Sequence, residues 1–334
     1  MIKDQVLTLL WDCADRDLSG AELAARLRVS RGAVWKAVEQ LRQEGYLIES
    51  APRRGYRLLS KSDVLNQQGI ARRLRSPELR LRVTDCIGST NTALKELANR
   101  GEPEGLALVA GQQTEGRGRM GRSFYSPAGS GVYLSLLLRP KLAAAEGTRI
   151  TACAAVAAAE VLEELSGRPI GIKWVNDLLL DGKKICGILT EASVDCESGS
   201  MNYVIVGLGV NAIAPEGGFP PELREVAGAL FTERRLPELR CQIAAGILDR
   251  LWALCAGLPD ADPFEAYRAR SLVLGADVEL LRPGQEPVPA TVLSLERDYG
   301  LQVKLPDGSI CKVQSGEVRI LPRKGTWQNP PLQV

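Results

Sequence analysis

Histidine is missing altogether from the 334 residues. That excludes His-ligated metal sites, Ser–His–Asp hydrolysis and imidazole general bases. None of the eight cysteines forms a CxxC pair, and the two closest, Cys186 and Cys196, stand ten positions apart. They read as reduced, small apolar side chains in a cytoplasmic protein. No apolar run is long enough to span a bilayer. The longest, Ile150 to Ala159, reads as a buried alanine-rich helix, so no membrane partner is expected. The opening Met1-Ile2-Lys3-Asp4 leads into an amphipathic segment with acidic residues rather than a secretory leader. Neither sign of charge dominates: the net charge is +2, so any nucleic-acid surface must be local. No internal repeat is found.

What is present is ordinary globular material, 45% apolar and 25% charged, long enough for two or three domains. Residues 1–62 carry a helical stripe at Val6, Leu7, Leu9, Leu10 and Cys13. Ser19-Gly20-Ala21-Glu22 is a capping box opening a second helix. After a turn at Arg28-Val29, Ser30 caps a third helix that Gly45 ends. Leu47-Ile48-Glu49 and Tyr56-Arg57-Leu58 flank a basic turn as a hairpin. Helix, helix, turn, helix, hairpin is the order of a winged helix-turn-helix. Its third helix would present Ser30, Arg31, Gly32, Trp35 and Lys36 to the major groove, with Arg53 and Arg54 reaching phosphates from the wing. The agreement of caps, turn length and basic wing favours DNA binding over a small protein-interaction domain.

Residues from about 61 to 80 are polar and read as a linker with a short helix. From there to 270, strand-like stretches (106–111, 131–138, 170–174, 184–191, 203–209) alternate with helices (148–165, 236–254), as in an α/β or α+β enzyme domain. Residues 271–322 read as a small antiparallel β-barrel with turns at Asp298-Tyr299-Gly300 and Pro306-Asp307-Gly308-Ser309. The tail 323–334 reads as disordered.

The middle segment carries the chemistry. Gly116-Arg117-Gly118-Arg119-Met120-Gly121-Arg122 lies between two strands, too rich in glycine and charge for regular structure. Glycines free backbone N–H groups to face an anion, and arginines supply forked donors for phosphate or carboxylate. It is not a Walker A loop, since no GK[ST] follows. Gly88-Ser89-Thr90-Asn91 opens a helix with hydroxyls at its N-terminus. Lys173-Trp174-Val175-Asn176-Asp177 sets an amide and a carboxylate at a strand end. Lys183-Lys184-Ile185-Cys186-Gly187-Ile188-Leu189 places a lysine beside a strand whose glycine permits close approach. Gly207-Leu208-Gly209-Val210-Asn211 ends another strand.

In that order these motifs resemble the biotin–protein ligases, and with the flanking domains the bifunctional type that also represses the biotin operon. The resemblance covers about residues 1–320. It implies a multidomain fold: a winged helix-turn-helix (1–62), an α/β (α+β) ligase domain of the biotin/lipoate ligase type (63–270) and an SH3-like β-barrel (271–322). It implies that biotin and ATP, the latter with Mg²⁺ as substrate complex, give biotinyl-5′-AMP, with no tightly bound metal. The adenylate then biotinylates one lysine of a biotin carboxyl carrier protein. The implied biotin-binding residues are Ser89, Thr90, Asn91, Gln113, Gly116, Arg117, Arg119, Lys184 and Gly187, with Ser89, Thr90 and Gln113 on the ureido ring. Arg119, Arg122, Phe124, Asn176 and Asn211 are the implied nucleotide set, Asn211 reading the adenine; Arg122 also reads as an anchor for the loop's end. Lys184, Arg119 and Asp177 are the implied catalytic group. The implied partners are the carrier protein, operator DNA of the biotin genes and, in the adenylate-bound form, a second copy of the chain. The chain departs from the family where Met120 replaces an arginine-like residue, Phe124 a tryptophan and Val175 a proline. The alternatives are an effector-binding regulator without ligase chemistry and a lipoate-type ligase using the same acyl-adenylate logic.

Overall fold

Ser19 and Ser30 each accept a hydrogen bond from the backbone N–H three residues on, Glu22 at 3.0 Å and Ala33 at 3.1 Å. Each satisfies one donor that a helix start leaves unpaired. In the computed structural model, which describes residues 2–13, 16–51, 54–59, 63–195, 197, 199–233, 236, 238–281, 286–314 and 319–322, these caps open two of three successive helices. They are α1 (Ile2–Asp12), α2 (Gly20–Leu27) and α3 (Arg31–Gln43). An antiparallel hairpin follows, β1 (Ile48–Ala51) with β2 (Gly55–Leu58). Gly55 has φ of 105°, and a Cβ there would overlap the Leu18 carbonyl, so only glycine fits. Val6, Leu10, Leu23, Val34, Val38, Leu41 and Leu58 close one core. Arg53, expected on the wing, and the tail 323–334 lie outside the described residues.

The stretch read as a linker does hold a short helix, α4 (Gln67–Ala71), capped by Asn66. It is not a free polar tether, however. The Asp63 carboxylate is buried and accepts from Arg240, N at 3.0 Å and Nε at 2.9 Å. A buried carboxylate needs such a partner. Residues 1–73 and 233–242 group as one unit; residues 74–232 and 243–334 group as the other.

The second unit is built on a seven-stranded sheet of β3 (Arg80–Thr84), β4 (Leu106–Ala110), β5 (Gly131–Leu138), β6 (Gly171–Lys173), β7 (Asp177–Leu180), β8 (Lys183–Val194) and β9 (Met201–Asn211). Their order is β3-β4-β5-β9-β8-β7-β6, parallel only between β3 and β4. Strands β3 and β7 were not foreseen. Arginines alternate with apolar residues in the first, and the second follows β6 after three residues. Every residue of β5 is buried, as expected for a strand covered on both faces. Helix α5 (Thr90–Asn99) packs Leu94 and Ala98 on Leu137, Tyr203 and Ile205. Helix α6 (Gly147–Ser166) buries all of Ile150 to Ala159. Helices α7 (Leu239–Ala256) and α8 (Phe264–Ala269) follow.

The last strands, β10 (Asp277–Leu281), β11 (Val288–Leu295), β12 (Leu301–Lys304), β13 (Ile310–Val313) and β14 (Arg319–Pro322), form a five-stranded antiparallel sheet in the order β13-β12-β11-β10-β14. The turn before β12 reaches the large sheet: the buried Trp174 indole N–H donates to the Tyr299 carbonyl at 2.7 Å. The Trp174–Val175 peptide is cis. No helix among the described residues is long and apolar enough to cross a membrane.

Candidate functional site

Strand register sets the floor of the site. Ser135, Gly207 and Leu189 stand in one row across β5, β9 and β8, and Tyr133, Gly209 and Gly187 in the next. Residues two apart on a strand share a face, so these six look out on one side, the side covered further along by α5. The glycines leave bare backbone on which other side chains lie. A Cβ on Gly207 would overlap the Asn91 amide, and one on Gly209 would overlap the Phe124 ring. At Gly187 it would meet Lys184 Nζ at 2.9 Å and the Phe124 ring at 3.1 Å. Phe124 thus lies across two adjacent glycines, its far side edge-on to Tyr133 at 6.4 Å.

A β-bulge aims the lysine. Asp177 pairs with Gly187 and Leu178 with Cys186, but Leu179 pairs with Lys184, leaving Ile185 as an extra residue. One extra residue reverses the alternation of faces, so Lys184 shares the face of Gly187 and Asp177. Its Nζ lies 2.7 Å from Asp177 Oδ1 and 5.8 Å from the Phe124 ring centroid. The neighbouring Cys186 is not a competing nucleophile: burial pushes its thiol up to about 12.

The arginine–glycine loop contains a turn of 3-10 helix, Arg119–Gly121, contrary to the expectation of no regular structure. Met120 and Gly121 both take positive φ, 56° and 72°. Gly118 N–H donates to Arg122 O at 2.7 Å, and Arg117 forms a bridge with Ser123. This tight reversal leaves Met120 64% exposed and directs the arginines apart. Arg119 Nη1 donates to Asn176 Oδ1 at 2.9 Å, and Arg117 Nη1 to Glu191 Oε1 at 3.1 Å. Burial pulls Arg119 below the usual guanidinium range, while Asp177 and Tyr267 draw it back up.

The other end of the cleft is the N-terminus of α5, where the helix dipole is positive. The Ser89 hydroxyl caps Thr92 N–H, while Thr90 N–H donates to Gln113 Oε1 at 2.9 Å. Gln113 Nε2 donates to Ser126 Oγ at 3.2 Å, which fixes the direction of its amide.

Together these residues line a cleft that is partly open to solvent. It brings together Ser89, Thr90, Asn91, Gln113, Arg117, Arg119, Phe124, Asn176, Lys184 and Gly187, with Asp177 just behind Lys184. Besides Asp177, three expected residues do not line it. Gly116 is packed beneath the loop, where a Cβ would overlap the Phe124 carbonyl. Arg122 is exposed. Asn211 is buried at the end of β9, donating to Gly228 O at 2.9 Å. Gly118, Gly207 and Gly209 stood in the motifs read from the sequence but were given no role, and Ser135 and Glu191, which lie beside the cleft, belonged to none of those motifs. Among the described residues no three Cys, Asp or Glu side chains gather as a metal site.

On the first unit, Ser30, Arg31, Gly32, Trp35 and Lys36 are all exposed along one face of α3, while Val34, Ala37, Val38 and Leu41 face the core. Trp35, 55% exposed, is an unusual residue to leave in water. Arg54 is exposed on the hairpin.

Residues 83–211 match the model of the biotin/lipoate A/B protein ligase family, and residues 4–57 that of an HTH domain. The chain is 39% identical over 231 residues to the bifunctional ligase/repressor BirA of Bacillus subtilis (strain 168), spanning 69% of this chain and 70% of that protein. It is 30% identical to the biotin–[acetyl-CoA-carboxylase] ligase of Mycobacterium tuberculosis, over 69% of this chain and 85% of the other. Among solved structures, biotin protein ligase from Aquifex aeolicus in complex with biotin and ATP superposes with a TM-score of 0.60 at 26% identity, covering 73% of this chain and 99% of that one.

Proposed function

The chain belongs to the bifunctional biotin ligase/repressor family of BirA type, and on that premise we propose how its residues divide the work. The protein joins biotin to ATP as biotinyl-5′-AMP, transfers biotin to a lysine of a biotin carboxyl carrier protein, and represses transcription through its helix-turn-helix domain. The observation that carries the site assignment is the convergence of Lys184, Arg119 and Phe124 on the two-glycine floor beside the α5 N-terminus.

At the α5 end, Ser89, Thr90 and Gln113 hold the ureido ring, with Asn91 packed beside them in the biotin site. The Ser89 oxygen accepts from Thr92 N–H, so its own proton is free for a carbonyl; Thr90 and Gln113 offer oxygens to ring N–H groups. At the other end, biotin carboxylate and α-phosphate, both anionic, must meet. Lys184 and Arg119 offset that repulsion and stabilise the charge that builds as a carboxylate oxygen attacks phosphorus and pyrophosphate leaves. No general base is needed there, because the nucleophile is already deprotonated. In the second step the carrier lysine attacks the acyl carbon, AMP departs, and Asp177 takes the amine proton. Gly116, Arg117 and Gly187 close around the acyl part, and Arg122, Phe124, Asn176 and Asn211 serve the nucleotide, whose Mg²⁺ enters with ATP. The domain division is 1–62, 63–270 and 271–322, the last an SH3-like barrel. The adenylate-bound form pairs as a homodimer, setting two α3 helices on a two-fold operator. The protein works in the cytoplasm.

Incubation with ATP, labelled biotin or lipoate, and a carrier domain tests the chemistry. Label from biotin should reach the carrier, and Lys184→Ala should lower pyrophosphate release by about 100- to 1,000-fold. Wild-type release from that variant, or transfer of lipoate alone, overturns the assignment.

A further inference from the structure

Beneath the ureido end of the cleft lies a fully buried hydroxyl that the assignment above leaves unused. Ser135 Oγ is 2.6 Å from Asn91 Oδ1 and 2.7 Å from Thr90 Oγ1. Counting protons decides how these three oxygens are arranged. Asn91 Nδ2 donates to Leu189 O at 3.1 Å and to Glu191 Oε2 at 2.9 Å, both acceptors, so its Oδ1 must be the atom facing Ser135. An amide oxygen carries no proton. The proton in the 2.6 Å contact is therefore Ser135's own. Ser135 has only one, so the proton in its contact with Thr90 comes from Thr90.

That leaves a marked pattern at the surface of the cleft. Thr90 Oγ1 stands 3.1 Å from Gln113 Oε1. With the Thr90 proton turned down to Ser135, no proton lies between these two oxygens. Gln113 Oε1 already accepts from Thr90 N–H and keeps one lone pair, and Thr90 Oγ1 keeps both. Two neighbouring acceptors without a proton between them favour a ligand that brings an N–H and disfavour one that brings another acceptor.

We infer that Ser135 is a specificity-determining positioning residue: by taking the Thr90 proton it turns Thr90 and Gln113 into a paired acceptor that selects a ring N–H. This rests on the placement of the ureido ring at this end. Glu191 supports the arrangement by holding the Asn91 amide in the required sense, and the same carboxylate accepts from Arg117 of the loop. Without Ser135, the Thr90 proton swings onto Gln113 Oε1, and the site no longer distinguishes an N–H from an ether oxygen as sharply.

The test is the binding of biotin, measured by calorimetry on the full chain, against its cyclic carbamate isosteres, in which one ring N–H at a time is replaced by oxygen. Wild type should prefer biotin over at least one isostere by about 100-fold, and Ser135→Ala should cut that ratio about tenfold. Ser135→Cys keeps the side-chain shape, with a somewhat larger atom and a much weaker donor; it should show a similar loss and carries the test if the alanine variant does not fold. A merely structural role would weaken biotin and isosteres equally, leaving the ratio unchanged, and that result in either folded variant overturns the inference. No preference in the wild type would instead overturn the placement of the ring, and the inference with it.

Discussion

The two units put their working side chains together in opposite ways. In the first, the exposed face proposed to meet DNA comes from five residues within one short stretch, 30 to 36, on a helix whose start is set by a single serine hydroxyl. In the second, the cleft draws on segments from Ser89 to Gly209, brought together by strand register, a bulge and bare glycines. A local surface degrades one contact at a time. A site assembled across a sheet fails when any layer beneath it moves.

Among substitutions away from the charged groups, the largest expected effect tests that contrast at the floor of the cleft. Gly209→Val puts branched carbon where the Phe124 ring lies. It should reduce adenylate formation, read as pyrophosphate release, by about 100-fold through misplacement alone; a near-normal rate would mean the ring does not need its glycine bed. On the first unit, Lys36→Ala should weaken operator binding evenly across sequences and lower the slope of log affinity against log salt by about 1. A change confined to one base position would make Lys36 a base reader instead. The smallest effect is expected at Ser19→Ala, which removes one cap from α2. It should cost about 1 kcal/mol of stability in denaturant melts, with adenylate formation within about twofold of normal; a larger loss of activity would tie the two units more closely than the contrast allows.

The same contrast governs how much could be read from the sequence. The three helices and hairpin of the first unit were legible because their signals are local: Ser19 and Ser30 bond three residues ahead, and the apolar stripe repeats within each helix. The motifs around Ser89, Lys184 and Asn176 were legible as a set, since their spacing and order resemble a known family. Ile185 as the extra residue of a bulge was not, because a bulge is a property of two strands, and KKICGIL alone reads as simple alternation. Ser135 was hidden inside GVYLSLLL, an apolar run whose serine gains meaning only opposite Gly207 and under Asn91. Arg122 and Asn211 are in the right motifs but sit away from the cleft lining, a distinction only the turn geometry and the end of β9 reveal.

The bond from the Trp174 indole to the Tyr299 carbonyl joins positions 125 apart in the chain. A ribosome adds about 5–20 residues per second, so roughly 6 to 25 s pass between the synthesis of the donor and that of its acceptor. During that interval the segment carrying Asn176 and Asp177 exists without the carbonyl that anchors it. The segment is thus made well before its anchor, and the join between the large sheet and the small one closes only after the small sheet has begun to emerge.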